Sequence, residues 1–138
     1  MKRLFYFLLV LIALITIPLS QAVTIKARET ASLEVVTSVI CEDVIDRKPV
    51  GVGNSFEASV GKLCCFTKIT GAYSHIEISH VWYFGDTERF KINLPVKSSS
   101  WRTYSSKKIQ AHETGDWHVD VLGPEGEVLR TLHFKITP

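Results

Sequence analysis

The stretch from Trp101 to Lys108 (Trp-Arg-Thr-Tyr-Ser-Ser-Lys-Lys) holds the residues best suited to binding chemistry. Strand alternation would place Arg102, Tyr104, Ser106 and Lys108 on one face. A planar cation, an aromatic ring, a hydroxyl and an ammonium can together hold a carboxylate, a sulfate or a sugar. The alternative is a solvated edge strand whose lysines discourage pairing with another chain.

Three cysteines offer redox chemistry: Cys41, Cys64 and Cys65. Neighbouring strand residues point to opposite faces, so one of the two adjacent cysteines should share a face with Cys41. Alternation groups Cys41 and Cys65 on the same face, and we predict a Cys41–Cys65 disulfide worth roughly 3 kcal/mol. Cys64 is then either a small residue packed against Phe66 or a redox-active or intermolecular thiol.

The case for catalysis or metal binding is weak. The sequence has no nucleophile elbow and no glycine-rich phosphate loop, so we predict no catalytic residues and no cofactor. His80 and Trp82 share a strand face and form either a ligand platform or a core tryptophan beside a hydrogen-bonded histidine. The five histidines lack metal-ligand spacing, and we predict no metal site; they are His75, His80, His112, His118 and His133.

The elements that must position these residues are strands. Apolar and polar residues alternate in short runs from residue 32 onward, with turn signals roughly every 8–12 residues. Residues 43–54, which contain Pro49, Gly51 and Gly53, have the composition of a loop. The pattern predicts one all-β domain over residues 32–138, a single antiparallel immunoglobulin-like β-sandwich of seven to eight strands with Trp117 in its core.

The first 22 residues have the features of a signal peptide. Lys2 and Arg3 precede an apolar run from Leu4 to Ile17, and small residues at Ser20 and Ala22 suit cleavage. The alternative is a retained anchor, although spanning needs about 17–25 apolar residues. Residues 23–31 are read as a linker or a frayed strand. We therefore expect an exported protein, periplasmic, secreted or at the cell surface, with no stable membrane insertion after cleavage.

Charge argues against nucleic acid as a partner. The formal net charge of +2 is carried by Lys2 and Arg3, so the chain after residue 22 is neutral. A neutral domain has no general electrostatic attraction to nucleic acid or to anionic lipid.

Several segments resemble a family of bacterial proteins called domain of unknown function 2914. The resemblance is carried by Cys41-Glu42-Asp43-Val44, Arg47-Lys48-Pro49-Val50-Gly51, Cys65-Phe66-Thr67-Lys68-Ile69-Thr70-Gly71, His80-Val81-Trp82-Tyr83, Trp101-Arg102-Thr103-Tyr104-Ser105-Ser106-Lys107, Gly115-Asp116-Trp117-His118-Val119-Asp120-Val121 and Gly126-Glu127-Val128-Leu129 with Phe134. It implies an exported or membrane-attached protein and names no activity. Cys64 departs from the family pattern.

Together these features predict a non-enzymatic binding or interaction module of the bacterial envelope, with a glycan or another protein as its partner. The alternative is a structural or accessory subunit of an envelope complex without a small-molecule site. Exposed aromatic residues beside Arg102 would favour a glycan, and an exposed apolar patch would favour a protein partner.

Overall fold

The computed structural model describes residues 33–138, so the predicted signal peptide and linker lie outside the described residues. Ten strands and one short 3-10 helix follow in chain order: β1 (Glu34–Cys41), β2 (Asp43–Ile45), β3 (Lys48–Val50), β4 (Ser55–Glu57), the helix (Ala58–Val60), β5 (Lys62–Thr70), β6 (Ile76–Phe84), β7 (Thr87–Val96), β8 (Ser100–Lys108), β9 (Gly115–Leu122) and β10 (Val128–Thr137).

Two sheets pack face to face. One has the strand order β1-β5-β8, and the other has the order β4-β10-β9-β6-β7. Within residues 33–138 the paired strands are antiparallel, apart from the parallel pair of β4 with β10. The all-β sandwich predicted from the sequence is confirmed. The strand count is higher than the seven to eight expected, because the predicted loop at 43–54 contains the two strands of the β2–β3 hairpin.

The two sheets bury an apolar core that forms two clusters. The first is centred on Trp82, Trp117 and Phe134, and the second on Ile69 and Ile78. Trp82 and Trp117 are fully buried, as predicted for Trp117. The aromatic rings meet in edge-on and stacked geometries, with centroids of Trp82 and Phe134 6.0 Å apart. This core fixes the position of each strand of the three-stranded sheet.

A polar chain of side chains crosses the sandwich interior. The imidazole of His80 lies 2.9 Å from the Thr67 hydroxyl and 2.7 Å from the Ser105 hydroxyl. The Trp82 indole N–H donates to the same Ser105 oxygen at 3.0 Å, and Ser38 bonds to Thr67 at 3.1 Å. Buried polar groups are tolerated when they are hydrogen-bonded in this way. Of the two interpretations of His80 and Trp82, the structure supports the core residues.

A bulge in β1 overturns the predicted disulfide geometry. The register with β5 shifts between Val35 and Thr37, so one extra residue is accommodated there. Such a shift moves every later side chain to the opposite face. Before the bulge, the odd-numbered residue Val35 points into the core. After the bulge, the even-numbered residue Ile40 points into the core and Cys41 points outward.

The predicted Cys41–Cys65 disulfide is therefore wrong. Cys65 lies in the core, whereas Cys41 and Cys64 lie together on the outer face of the three-stranded sheet. All three are free thiols in the structure. The prediction assumed a regular strand, whereas β1 contains a bulge that has no clear signature in its sequence.

The β2–β3 hairpin lies over that outer face. Asp46 and Arg47 form its turn, both with positive φ of 52° and 61°, as a tight two-residue hairpin turn requires. Val44 packs downward against the cluster of Cys41, Cys64 and Phe66. The hairpin thus covers part of the three-stranded sheet and leaves an open space beside β8. None of the helices in residues 33–138 is long and apolar enough to cross a membrane.

Candidate functional site

Strand β8 presents the predicted binding residues on its outer face. Arg102, Tyr104, Ser106 and Lys108 are all exposed, while Ser105 between them is buried. Alternation therefore placed these side chains correctly. Because β8 is one of the two edge strands of its sheet, the alternative interpretation, a solvated edge strand, also fits its position.

A cleft of about 820 Å³ separates the hairpin from β8. Arg102 and Tyr104 line it together with Asp46 and Arg47 from the hairpin turn and Lys68 from β5. Phe66, Val44 and Trp101 add apolar surface to its lining.

The structure divides the four predicted site residues into two pairs. Arg102 and Tyr104 lie in the cleft, whereas Ser106 and Lys108 lie outside its lining. The Ser106 hydroxyl is 3.3 Å from the Cys64 sulfur. Lys108 lies at the end of the strand, opposite Lys62.

Sequence reasoning missed Arg47 and Lys68. Lys68 pairs directly with Arg102 across β5 and β8, and correct strand pairing would have revealed it. Arg47 carried no comparable signal, because its position depends on how the hairpin folds back over the sheet.

Positive charge is concentrated in this cleft. Lys68 and Arg102 are directly opposite each other, and like charges in that arrangement are destabilising. The Arg102 guanidinium donates a hydrogen bond to the backbone carbonyl of Arg47 at 3.5 Å, so Arg47 lies close to Arg102. Within residues 33–138, no carboxylate forms an ion pair with Arg47, Lys68 or Arg102. Asp46 is the acidic residue in the lining.

The cleft provides groups for recognition. A guanidinium binds a carboxylate or sulfate through two parallel hydrogen bonds, and a lysine adds a second charge. Tyr104 is 50% exposed and offers a rigid ring with a polar tip. Such a set suits an anionic group attached to a flat or ring-shaped body.

The pairing of Ser105 with His80 resembles a nucleophile and its base, but it lies in the sandwich interior. Both side chains are buried, and Ser105 also bonds to the Trp82 indole. Burial lowers the pKa of His80 to about 4, so the imidazole is neutral near pH 7. His80 lies on β6 and Ser105 lies on β8, so the hydrogen bond between these buried, neutral side chains links the two sheets.

Cys64 differs from its neighbours in its ionisation. Hydrogen bonds from the Cys41 thiol and the Ser106 hydroxyl, with the charge of Lys62, outweigh burial and lower the pKa of Cys64 to about 6. The pKa of Cys41 is raised, first by the same bond to Cys64 and then by burial. Burial raises the pKa of Cys65 to about 12.

The five-stranded sheet carries a different set of residues on its outer face. Tyr83 stacks on His118 with ring centroids 4.5 Å apart, and His133 lies next to His118 at 5.6 Å. Across the described part of the chain, no group of three or more His, Cys, Asp or Glu side chains is arranged to hold a metal ion.

A family model described as "Protein of unknown function (DUF2914)" matches residues 76–136. The match covers β6 to β10, and so includes Arg102 and Tyr104, while the hairpin, Lys68 and the cysteines precede it. No curated protein matches the chain. The match supports the family resemblance predicted from the sequence, and residues 76–136 are similar to the DUF2914 family.

Proposed function

We propose that this protein is a non-enzymatic, extracytoplasmic binding module that holds an acidic ligand, such as a glycan bearing carboxylates or sulfates, in the cleft between the β2–β3 hairpin and β8. The observation that carries the proposal is the group of Arg47, Lys68 and Arg102, which lines one cleft and forms no ion pair with a carboxylate of the described residues 33–138. A bound anion would relieve the repulsion between Lys68 and Arg102.

The aromatic surface of the cleft supports a glycan as the ligand. Tyr104 is adjacent to Arg102 on the same strand face and is half exposed. Sugar rings stack on such side chains while their acidic groups meet the guanidinium. The size of the cleft, about 820 Å³, lies within the range of about 300–1,000 Å³ common for small-molecule sites.

A second function, an accessory subunit of an envelope complex, is favoured by the outward face of the hairpin. Ile45, Val50 and Val52 are exposed apolar residues on or just after this hairpin. Exposed apolar residues that cluster in this way favour a protein partner. In that case the hairpin itself would be the contact surface.

Binding to an array of uronic-acid and sulfated oligosaccharides, with matched neutral sugars beside them, tests the proposal. We expect preferential binding to acidic members and a loss of tenfold or more in Arg102→Gln, because a hydrogen bond to a charged group contributes about 1.5–3 kcal/mol. Lys108→Gln is the matched control, since it removes the same charge from the same strand outside the cleft.

Two results would contradict the glycan proposal. Equal binding to acidic and neutral sugars would remove the role of the cations, and equal losses in Arg102→Gln and Lys108→Gln would remove the role of the cleft. Retention of an envelope protein that is lost on Ile45→Ser would support the accessory-subunit function instead. The proposed export is tested by the intact mass of protein from the envelope fraction, which should begin near Val23.

A further inference from the structure

Cys41 and Cys64 are placed where a cross-strand disulfide can form. They are direct partners in the antiparallel register of β1 and β5. Residues facing each other in such a pair have Cα atoms about 4.5–5.5 Å apart, within the range of about 4.4–6.8 Å found for disulfides. The Cys41 thiol lies 3.8 Å from the Cys64 carbonyl oxygen, and the two cysteine side chains are also hydrogen-bonded to each other.

The surroundings separate this pair from the third cysteine. Cys41 and Cys64 form a small cluster with Phe66, flanked by Val39 and Val44. Cys65 points to the other side of the sheet and packs in the main core. A bond from Cys41 to Cys65 would require the strand to reverse its facing.

We propose that Cys41 and Cys64 are a redox-active pair that closes to a disulfide by exchange with a small-molecule disulfide such as oxidised glutathione. The Cys64 thiolate attacks one glutathione sulfur, which forms a mixed disulfide and releases one glutathione thiolate. Cys41 then loses its proton and attacks the Cys64 sulfur, which releases the second glutathione. Two thiols are oxidised and one glutathione disulfide is reduced to two thiols.

The roles of the two sulfurs follow from their neighbours. The Ser106 hydroxyl, 3.3 Å from the Cys64 sulfur, can donate to a thiolate there, and Lys62 adds favourable charge. Exchange proceeds through the thiolate, so the lowered pKa of Cys64 makes it the attacking group. Cys41, with its raised pKa, is the resolving thiol.

The hairpin controls access to both sulfurs. Cys41 and Cys64 are fully buried, and Val44 of β2 packs against them. The hairpin is tied to the end of β1 by backbone bonds from Glu42 to Val50 at 3.0 Å and from Gly53 to Ile40 at 3.1 Å. Exchange in the folded protein therefore requires the hairpin to lift, and a closed disulfide would fix the base of the hairpin.

The test is peptide mapping without reduction after incubation of the full chain in glutathione buffers of increasing oxidised fraction. Cys64 and Cys65 fall in one tryptic peptide, Leu63–Lys68, so variants must assign the bond. We expect a loss of 2 Da and a link to the Cys41 peptide in the native chain and in Cys65→Ala. The link should vanish in Cys64→Ala, the matched control, and the oxidised Cys65→Ala chain should melt about 10 °C higher than its reduced form.

Circular dichroism checks that both variants fold. Should one of them not fold, fragmentation of the linked native peptide between positions 64 and 65 assigns the bond without a variant. A link that persists in Cys64→Ala and is lost in Cys65→Ala would overturn the proposal. Three free thiols at every glutathione ratio would overturn it as well. Neither result bears on ligand binding in the cleft, which is measured separately.

Discussion

Acidification is expected to weaken the fold through His80. This imidazole is buried between the sheets and bonds to Thr67 and Ser105. Burial penalises its charged form and lowers its pKa to about 4, while in the unfolded chain the pKa is near 6.5. Between these two values the unfolded state binds the proton and the folded state does not. Stability contributed by neutral His80 is thus complete above pH 6.5 and is lost as the pH falls toward 4.

The size of the effect follows from the separation of the two pKa values. Each pKa unit corresponds to about 1.4 kcal/mol, so the free energy of unfolding should fall by about 2 kcal/mol between pH 7 and pH 5. The full loss by pH 4 is about 3 kcal/mol. This is a large share of the roughly 5–15 kcal/mol that stabilises a typical domain.

Urea unfolding at pH 7, 6 and 5 measures this effect in the native chain, in His80→Gln and in His112→Gln. His80→Gln should be less stable at pH 7, because two buried hydrogen bonds change, but it should lose about 2 kcal/mol less on going to pH 5. His112 is exposed, so its variant should follow the native chain. The same pH dependence in native and His80→Gln proteins would refute the assignment to His80.

The remaining predictions concern stability and are measured by thermal or urea unfolding. Trp101 packs against the second core cluster, so Trp101→Ala should lower the free energy of unfolding by about 3 kcal/mol. The double change Arg102→Ala and Tyr104→Ala affects exposed side chains and should lower it by about 0.5 kcal/mol. A double variant as unstable as Trp101→Ala would show that these two residues are structural. Ser105→Ala should cost about 2 kcal/mol, because it leaves the buried indole and imidazole without a shared partner. Ser106→Ala, its exposed neighbour, should stay within about 0.5 kcal/mol, and equal losses for the two serines would contradict the role of the buried chain.

Strand alternation predicted much of the fold and of the outer face of β8. It works where a strand is regular, as from Ser100 to Lys108, because successive side chains point to opposite faces. It failed in β1, where the bulge near Val35 reverses the facing of Cys41. A bulge is a feature of the pairing between two strands, so the periodicity of β1 alone does not predict it.

The cleft could be predicted only in part. Arg102 and Tyr104 lie on one regular strand and were accessible to sequence reasoning. Asp46 and Arg47 lie in the cleft because they form the turn of a hairpin whose composition resembles a loop. The position of this hairpin on the sheet depends on the packing of Val44 against the sheet. Non-local packing of this kind leaves no periodic signal in the sequence.

The central claim is that the ligand lies between the hairpin and β8. Amide chemical shifts of the isotope-labelled protein, titrated with the tightest-binding acidic oligosaccharide from the array, test it most directly. We predict that the largest shifts lie at residues 46–48, 66–68 and 100–104, and that Arg102→Gln greatly reduces them at a ligand concentration near the native Kd. Largest shifts around Tyr83 and His118, on the outer face of the five-stranded sheet, would contradict the claim.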